Sequence, residues 1–280
     1  MFELAGFDLD AFVAATLAED LGTGGDITSM ATISAALQLT AVMASRDAIR
    51  VAGLPIADAF FTRLDPDLEI THHVEDGADA APDDRLMTIR GNARAILAAE
   101  RSALNTVQHL SGIATMTRSY VAAIAGSGAT LLDTRKTIPG LRVLEKYAVR
   151  MGGGTNHRMR LDDAVLIKDN HIAAAGSVGQ AVGAARNAGL PRIQVEVDRL
   201  DQIEPALAAG ATALLLDNMP PAMLREAVAL VAGRATTEAS GGVTLDRIGE
   251  IAATGVNYIS VGRLTQSAPA ADIGLDYFDG

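Results

Sequence analysis

Cysteine is absent from the 280 residues, which removes a disulfide framework, a thiolate metal site and a cysteine nucleophile from consideration. Tryptophan is absent too, and aromatics make up only 4% of the chain. No apolar run approaches the roughly 18 residues of a membrane-spanning helix. The opening MFELAGFDLD is acidic and lacks the basic and apolar regions of a secretion signal, so a cytoplasmic protein is expected. Positive charge is scarce: 23 Lys and Arg face 34 Asp and Glu, a net charge of −11. That balance argues against nucleic acid or an anionic membrane as partner, since both require a positive face. What is present, 49% hydrophobic residues and 27 glycines, suits an Ala/Gly-rich α/β enzyme rather than a disordered chain.

One segment opposes the overall charge. Between Asp133 and Asp169 eight cations stand against five acids, so the segment carries +3 and the remainder −14. Lysine occurs only three times, at Lys136, Lys146 and Lys168, and all three fall here. Arg142, Glu145, Lys146 and Arg150 lie at helical spacing and read as solvated charges on one helix. The cations at strand ends and loops, Arg135, Lys136, Arg158 and Lys168, do not fit that reading. They suggest a pocket for a small, highly charged anion.

Periodicity divides the chain in two. A helix is expected from Asp8 to Leu21, capped by Asp8 and ended by Gly22, followed by the glycine-rich turn 22–26. Short strands at 39–43, 68–72 and 86–89 alternate with a helix near 54–64. A long helical pattern runs from about Ala93 to Ile124, with a break expected at Ser111-Gly112. After Gly126, apolar runs recur at 129–134, 164–169, 193–198, 213–218, 236–242 and 258–262, each followed by a helix. Such alternation implies a parallel sheet covered on both sides. With six or seven strands, an incomplete β/α barrel is expected rather than a closed eight. The division is an α/β sandwich over 1–110, joined by the C-terminal segment 268–280, and an open barrel over 111–267.

Charged residues end five of these strands: Asp133 with Arg135, Lys168, Glu196, Asp217 and Glu238. In a β/α barrel such positions line the catalytic mouth. Arginine's planar fork suits carboxylates and lysine's compact charge suits phosphate. Glu196 and Asp217 would repel each other unless a cation such as Mg²⁺ lay between them or a basic neighbour paired with each. Ser240-Gly241-Gly242 and Val261-Gly262-Arg263 follow the last two strands, where barrels often form a phosphate cradle. The loop Gly152–Arg158 leads into His157-Arg158 without the spacing of a nucleotide-binding motif. Arg101 shares a helix face with Leu97 and Leu104. It either snorkels to water or reaches into a neighbouring subunit. His72 and His73 have no evident ligand set.

The run LLDTRKTIPGLRVLEKYAVRMGGGTNHRMRLDDAVLIKDNHI resembles the quinolinate phosphoribosyltransferase family, as do EDLGTGGDITS, ERSALNTVQHLSGIAT, VEVD, LLLDNM, EASGGV and TGVNYISVGRLTQSAPAADIGLDY. The resemblance spans nearly the whole chain in order. It implies an α/β fold with an N-terminal α/β sandwich and a seven-stranded open barrel, in a dimer or dimer-based oligomer. The reaction it implies is phosphoribosyl transfer from phosphoribosyl pyrophosphate to quinolinate with loss of CO₂, using Mg²⁺ and no organic cofactor. By motif, Arg135, His157, Arg158 and Lys168 would hold the quinolinate carboxylates, with Arg101 supplied by the neighbouring subunit. Lys136 would meet phosphate or pyrophosphate, Thr137 is a further substrate-binding position, Glu196 and Asp217 would meet the ribose and Mg²⁺, and Ser240–Gly242 with Val261–Arg263 the 5′-phosphate. Lys136, Lys168, Glu196 and Asp217 are the expected catalytic residues. Two positions depart from the pattern, Gln266 and Met151, where relatives often carry His and Cys. The rivals are a sister enzyme acting on nicotinate, a Schiff-base lyase using Lys168, and a non-catalytic phosphate binder.

Overall fold

The computed structural model describes residues 4–278. The last two residues of the 268–280 segment lie outside them. Two compact units form: the first takes the chain up to Arg118, Val143–Gly153 and the C-terminal segment from Ser267, and the second takes Ser119–Arg142 and Gly154–Gln266. The helix Ala93–Ala123 begins in the first unit and ends in the second, so no linker marks the division.

In the first unit, an antiparallel sheet has the order Ile273–Phe278, Gln38–Ser45, Arg85–Asn92, Glu69–His72. The C-terminal strand pairs with Gln38–Ser45 from Ser45 opposite Ile273 to Thr40 opposite Phe278. The helix Leu9–Leu21 starts where the Asp8 carboxylate accepts the Ala11 N–H, and Gly22 ends it at φ 54°. The helix Leu54–Leu64 buries Ile56, Ala57, Phe60 and Phe61. Its N-terminus is capped from afar: Asp76 accepts the Gly53 and Leu54 N–H groups at 2.6 and 3.1 Å, and the Tyr147 hydroxyl at 2.6 Å.

Two expectations for the helices are corrected. Ala93–Ala123 is one unbroken helix of 31 residues. Ser111-Gly112 does not interrupt it, because both residues serve packing. The Ser111 hydroxyl accepts the Ala52 N–H at 3.0 Å, and a Cβ on Gly112 would lie 2.0 Å from the Pro269 carbonyl oxygen. The helix Arg142–Met151 is not a solvated charged surface either. Glu145 and Lys146 are 0% exposed. The His109 ring pairs with Glu145 at 2.9 Å, which compensates the buried charge. Arg150 alone of the later charges is exposed, over the Tyr147 ring at 5.6 Å.

The second unit is the expected α/β layer. Six parallel strands run in the order Thr130–Leu132, Tyr258–Ser260, Thr236–Ser240, Ala213–Asp217, Gln194–Val197, Leu166–Ile167. The last strand in sequence thus pairs with the first, which is how a barrel closes on itself. Beyond Thr130–Leu132 a single parallel bridge joins Leu132 to Thr155, so the seventh stave is one residue long. Among the described residues no ladder joins Thr155 to Leu166–Ile167, and the barrel is open there. Side-chain alternation decides which residues face inward. Glu196, Leu215 and Glu238 occupy one row across three strands, while the neighbours Val195, Val197, Leu214, Leu216, Thr237 and Ala239 are buried on the helix-covered side.

Gly112→Ala should lower the melting temperature by about 4–10 °C, because overpacking against a carbonyl costs about 2–3 kcal/mol in a chain of this size. Gly24→Ala, where a Cβ meets only Ile27 at 3.8 Å, should leave it unchanged. Thermal denaturation followed by circular dichroism distinguishes the two.

Candidate active site

A cavity of about 560 Å³ opens at the carboxyl ends of the parallel strands. Most of the residues expected from sequence line it: Arg135, Lys136, His157, Arg158, Lys168 and Glu196 from one part of the chain, and both glycine turns, Ser240–Gly242 and Val261–Arg263, from the other. Three do not. Asp217 ends its strand beside the cavity without lining it, the Thr137 hydroxyl accepts the Arg142 Nε–H at 3.0 Å, and Arg101 is exposed on the long helix in the first unit.

The basic wall is built by two loops. Asp133, expected at the mouth, is 0% exposed and does not line the cavity. Its carboxylate accepts the Asn156 side-chain amide at 2.6 Å and the His157 backbone N–H at 2.8 Å. That single buried charge tethers the loop after the triple glycine to the end of the first strand. Arg142 braces the same pair of loops from outside, donating to the carbonyls of Arg135 and Met159 at 3.4 and 3.1 Å as well as to Thr137. Arg135 and Arg158 are thereby held as neighbours. Burial, and then the nearby Arg135, push the Arg158 guanidinium below its ordinary pKa, with Asp163 partly opposing. The Arg135 Nε–H is buried and has no acceptor within the protein. Arg158 is anchored at one nitrogen by the Ala164 carbonyl at 2.9 Å.

The acids at the strand ends divide into three fates. Glu196 pairs with the Lys168 ammonium at 2.7 Å, which is the basic neighbour anticipated for it. Asp217 is pushed above the ordinary carboxylate range, first by burial and then by Glu196, while Asn218, Lys168 and Lys136 oppose. Glu238 is 3% exposed. Burial would raise it, but His157, Ser260 and Gln194 outweigh that and hold it below the ordinary range. Its Oε2 accepts Gln194 at 2.8 Å and lies 3.3 Å from His157 Nε2, while its Oε1 makes no hydrogen bond.

The glycines of the two turns answer to specific neighbours. A Cβ on Gly241, at φ 94°, would meet the Asn218 side-chain oxygen at 2.2 Å and its backbone nitrogen at 2.9 Å. Asn218 itself sits at φ 54°, donates its backbone N–H to the Ser240 carbonyl at 2.8 Å and its amide to Asp217 at 2.6 Å. Gly262 leaves room for the Lys136 stem, 3.0 Å from where its Cβ would stand. Sequence reasoning missed Asn218 and Arg142 as organisers of the site. Asparagine directly after a strand, a residue type that tolerates positive φ, was the available signal for the first, whereas Arg142 carried none beyond its charge. It also missed the apolar contribution of Leu166 and Leu215, which face the cavity between charged strand ends. Gln266, one of the two departing positions, lines it as well.

Such a cavity, with cations on one wall, carboxylates on another and glycine turns between, can bind small polyanions and stabilise developing positive charge. Among the described residues no group of three or more His, Cys, Asp or Glu is placed to hold a metal ion.

Comparison with known proteins agrees with this architecture. The quinolinate phosphoribosyl transferase N-terminal domain matches residues 26–111 and the C-terminal domain residues 113–276. The nicotinate-nucleotide pyrophosphorylase [carboxylating] of Mycobacterium leprae is 45% identical over 93% of this chain and 94% of its own. A probable nicotinate-nucleotide pyrophosphorylase [carboxylating] of Bacillus subtilis is 44% identical over 92% and 89%. The structure of the nicotinate-nucleotide pyrophosphorylase from Francisella tularensis superposes with a TM-score of 0.92 at 40% identity, covering 96% of both chains. With both halves matched and the identity sustained from one end to the other, the chain belongs to the quinolinate phosphoribosyltransferase family.

Proposed function

We propose that this chain carries out the family's reaction in the cavity of its second unit: phosphoribosyl transfer from phosphoribosyl pyrophosphate to quinolinate, with loss of CO₂ and pyrophosphate, giving nicotinate mononucleotide. The observation that carries the assignment is the Arg135–Arg158 pair. Arg158, pushed below its ordinary range by burial and then by its neighbour Arg135, and a buried Arg135 N–H left without an acceptor are unfavourable until an anion joins them. A dicarboxylate supplies that anion, and bidentate pairing orients its ring.

Each wall then has a task. Arg135, Arg158 and Lys168 hold the two carboxylates, and Leu166 and Leu215 give the ring an apolar bed. Lys136 and the two glycine turns receive the phosphates of phosphoribosyl pyrophosphate. Glu196 faces the ribose, where positive charge develops at C1 as pyrophosphate departs, and Asp217 acts from beside the cavity. The ring nitrogen attacks C1, so alignment matters more than proton transfer. The C1–pyrophosphate bond breaks with its electrons going to the leaving oxygen. The pair released when the adjacent carboxylate leaves as CO₂ stays on the ring carbon, stabilised by the neighbouring pyridinium charge, and a proton then bonds to it. No residue is required to form a covalent bond to substrate. The Lys168 ammonium pairs with Glu196, which withholds the lone pair a Schiff base needs.

Magnesium fits the donor set only as a shared ion. Two carboxylates lie at neighbouring strand ends and one already pairs with a lysine, so the remaining ligands must be pyrophosphate oxygens and water. When bound, the ion supplies neutralisation of the leaving group. Arg101, exposed on the long helix, completes the cavity of a neighbouring subunit in a dimer or dimer-based oligomer. The acidic, cysteine-free composition is suited to the cytoplasm, where we place the reaction.

The primary test is release of labelled CO₂ from carboxyl-labelled quinolinate in the presence of phosphoribosyl pyrophosphate and Mg²⁺. Mononucleotide formed from nicotinate without CO₂ would point to the sister enzyme instead. Arg135→Ala should raise the quinolinate KM by about 10- to 100-fold, the equivalent of one charge-assisted hydrogen bond, with the phosphoribosyl pyrophosphate KM nearly unchanged. Equal losses for both would contradict the assigned role.

Asp217→Asn separates function from stability. A carboxyl raised in the folded state favours folding when protonated, and that contribution is lost as pH rises through the raised value. At pH 7 the substitution should therefore keep or increase the melting temperature while lowering kcat by about 100-fold. A lower melting temperature at that pH would show the charge to be stabilising. Finally, Arg101→Ala and Lys168→Ala, each inactive alone, should recover activity on mixing, since a hybrid dimer holds one intact cavity. No recovery after demonstrated subunit exchange would rule out the shared site.

A further inference from the structure

The reaction outlined above leaves Glu238 without a task, although its carboxylate lines the cavity and is 3% exposed. A buried carboxylate whose Oε2 is already engaged by two protein side chains is committed to the protein at that oxygen. Gln194, two strands away across the barrel interior, donates to Oε2 at 2.8 Å and fixes the carboxylate, and His157 Nε2 stands 3.3 Å from the same oxygen.

The opposite side of the His157 ring is also engaged. The Arg158 backbone N–H donates to His157 Nδ1 at 2.7 Å. A backbone N–H can only donate, so Nδ1 carries a lone pair and the ring proton sits on Nε2, facing Glu238. The chain of contacts runs Gln194, Glu238, His157, Arg158, and ends at the guanidinium that neighbours Arg135. His157 is itself tethered through its backbone N–H to Asp133, so the ring has a fixed pivot.

We propose that Glu238 is a positioning residue: it holds His157 as the Nε2–H tautomer, aims the Nδ1 lone pair at the Arg158 backbone, and so sets Arg158 beside Arg135 for a substrate carboxylate. The role of Arg158 toward substrate rests on the function proposed above, whereas the histidine tautomer does not. Carboxylate–histidine pairs orient a ligating imidazole in metal sites by the same means. Here the imidazole acts on a peptide N–H.

The test uses the full chain labelled with ¹⁵N-histidine, with Glu238→Gln, His157→Asn and the double variant. The His157 signals, assigned by their loss in His157→Asn, should report the neutral Nε2–H tautomer in the free wild-type protein. In Glu238→Gln the Nδ1–H tautomer should become populated. Glu238→Gln should raise the quinolinate KM about tenfold with the phosphoribosyl pyrophosphate KM within about twofold, as expected for one lost hydrogen bond to a charged group. The double variant should be no worse than His157→Asn alone. A wild-type ring protonated on Nδ1, equal changes in both KM values, or additive effects in the double variant would each overturn the proposal. Absence of turnover in the wild type would instead remove the proposed function, and the ring signals alone would then decide this inference.

Discussion

The site depends on keeping like charges together. Arg135 and Arg158 come from separate loops, repel one another, and are partly withdrawn from water. Left to themselves the loops would part. What prevents it is a set of contacts that carry no substrate: the buried Asp133 carboxylate on Asn156 and His157, and the Arg142 fork on the carbonyls of Arg135 and Met159. The free energy of holding the two guanidinium groups together, with the Arg135 Nε–H unsatisfied, is supplied by the fold and returned when an anion arrives, which is preorganisation in its electrostatic form.

The acidic wall follows the same logic with the sign reversed. Strand alternation sets Glu196, Leu215 and Glu238 in one inward row, so two carboxylates face the cavity across an apolar residue. Their environments then diverge. Lys168 pairs with Glu196 at the mouth, while Glu238 lies deeper against Gln194 and His157. Asp217, one step further along its strand, is left with its pKa raised by burial and by Glu196. Three acids within one small region therefore differ in what they can do: one paired, one strained, one committed to an internal partner. The glycine turns complete the arrangement by absence of side chains, with Gly241 giving way to Asn218 and Gly262 to Lys136.

How legible this was in the sequence varied with the physical signal. The helix Leu54–Leu64, the Asp8 cap and all six parallel strands were readable because hydrophobic period and capping chemistry are local. The break expected at Ser111-Gly112 failed because glycine's usual meaning, conformational freedom, was overridden by a close approach of Pro269, about 157 residues away in sequence. Glu145 and Lys146 were read as solvated because their spacing was helical. Their burial depends on His109 and on tertiary packing that no local pattern encodes. Asp133 and Glu238 were noticed as strand-end charges, yet which way each turns depends on partners from other strands and loops. The segment 268–280 was joined to the sandwich, but its strand was not foreseen, since its pairing with Gln38–Ser45 joins opposite ends of the chain.

The central claim is that converging cations in one cavity select a doubly charged ring. Calorimetric titration of the free protein with pyridine-2,3-dicarboxylate and with pyridine-3-carboxylate tests it without turnover. The account predicts that the dicarboxylate binds about 10- to 100-fold more tightly, the worth of one further charge-assisted contact. Equal affinity for the two acids would contradict it.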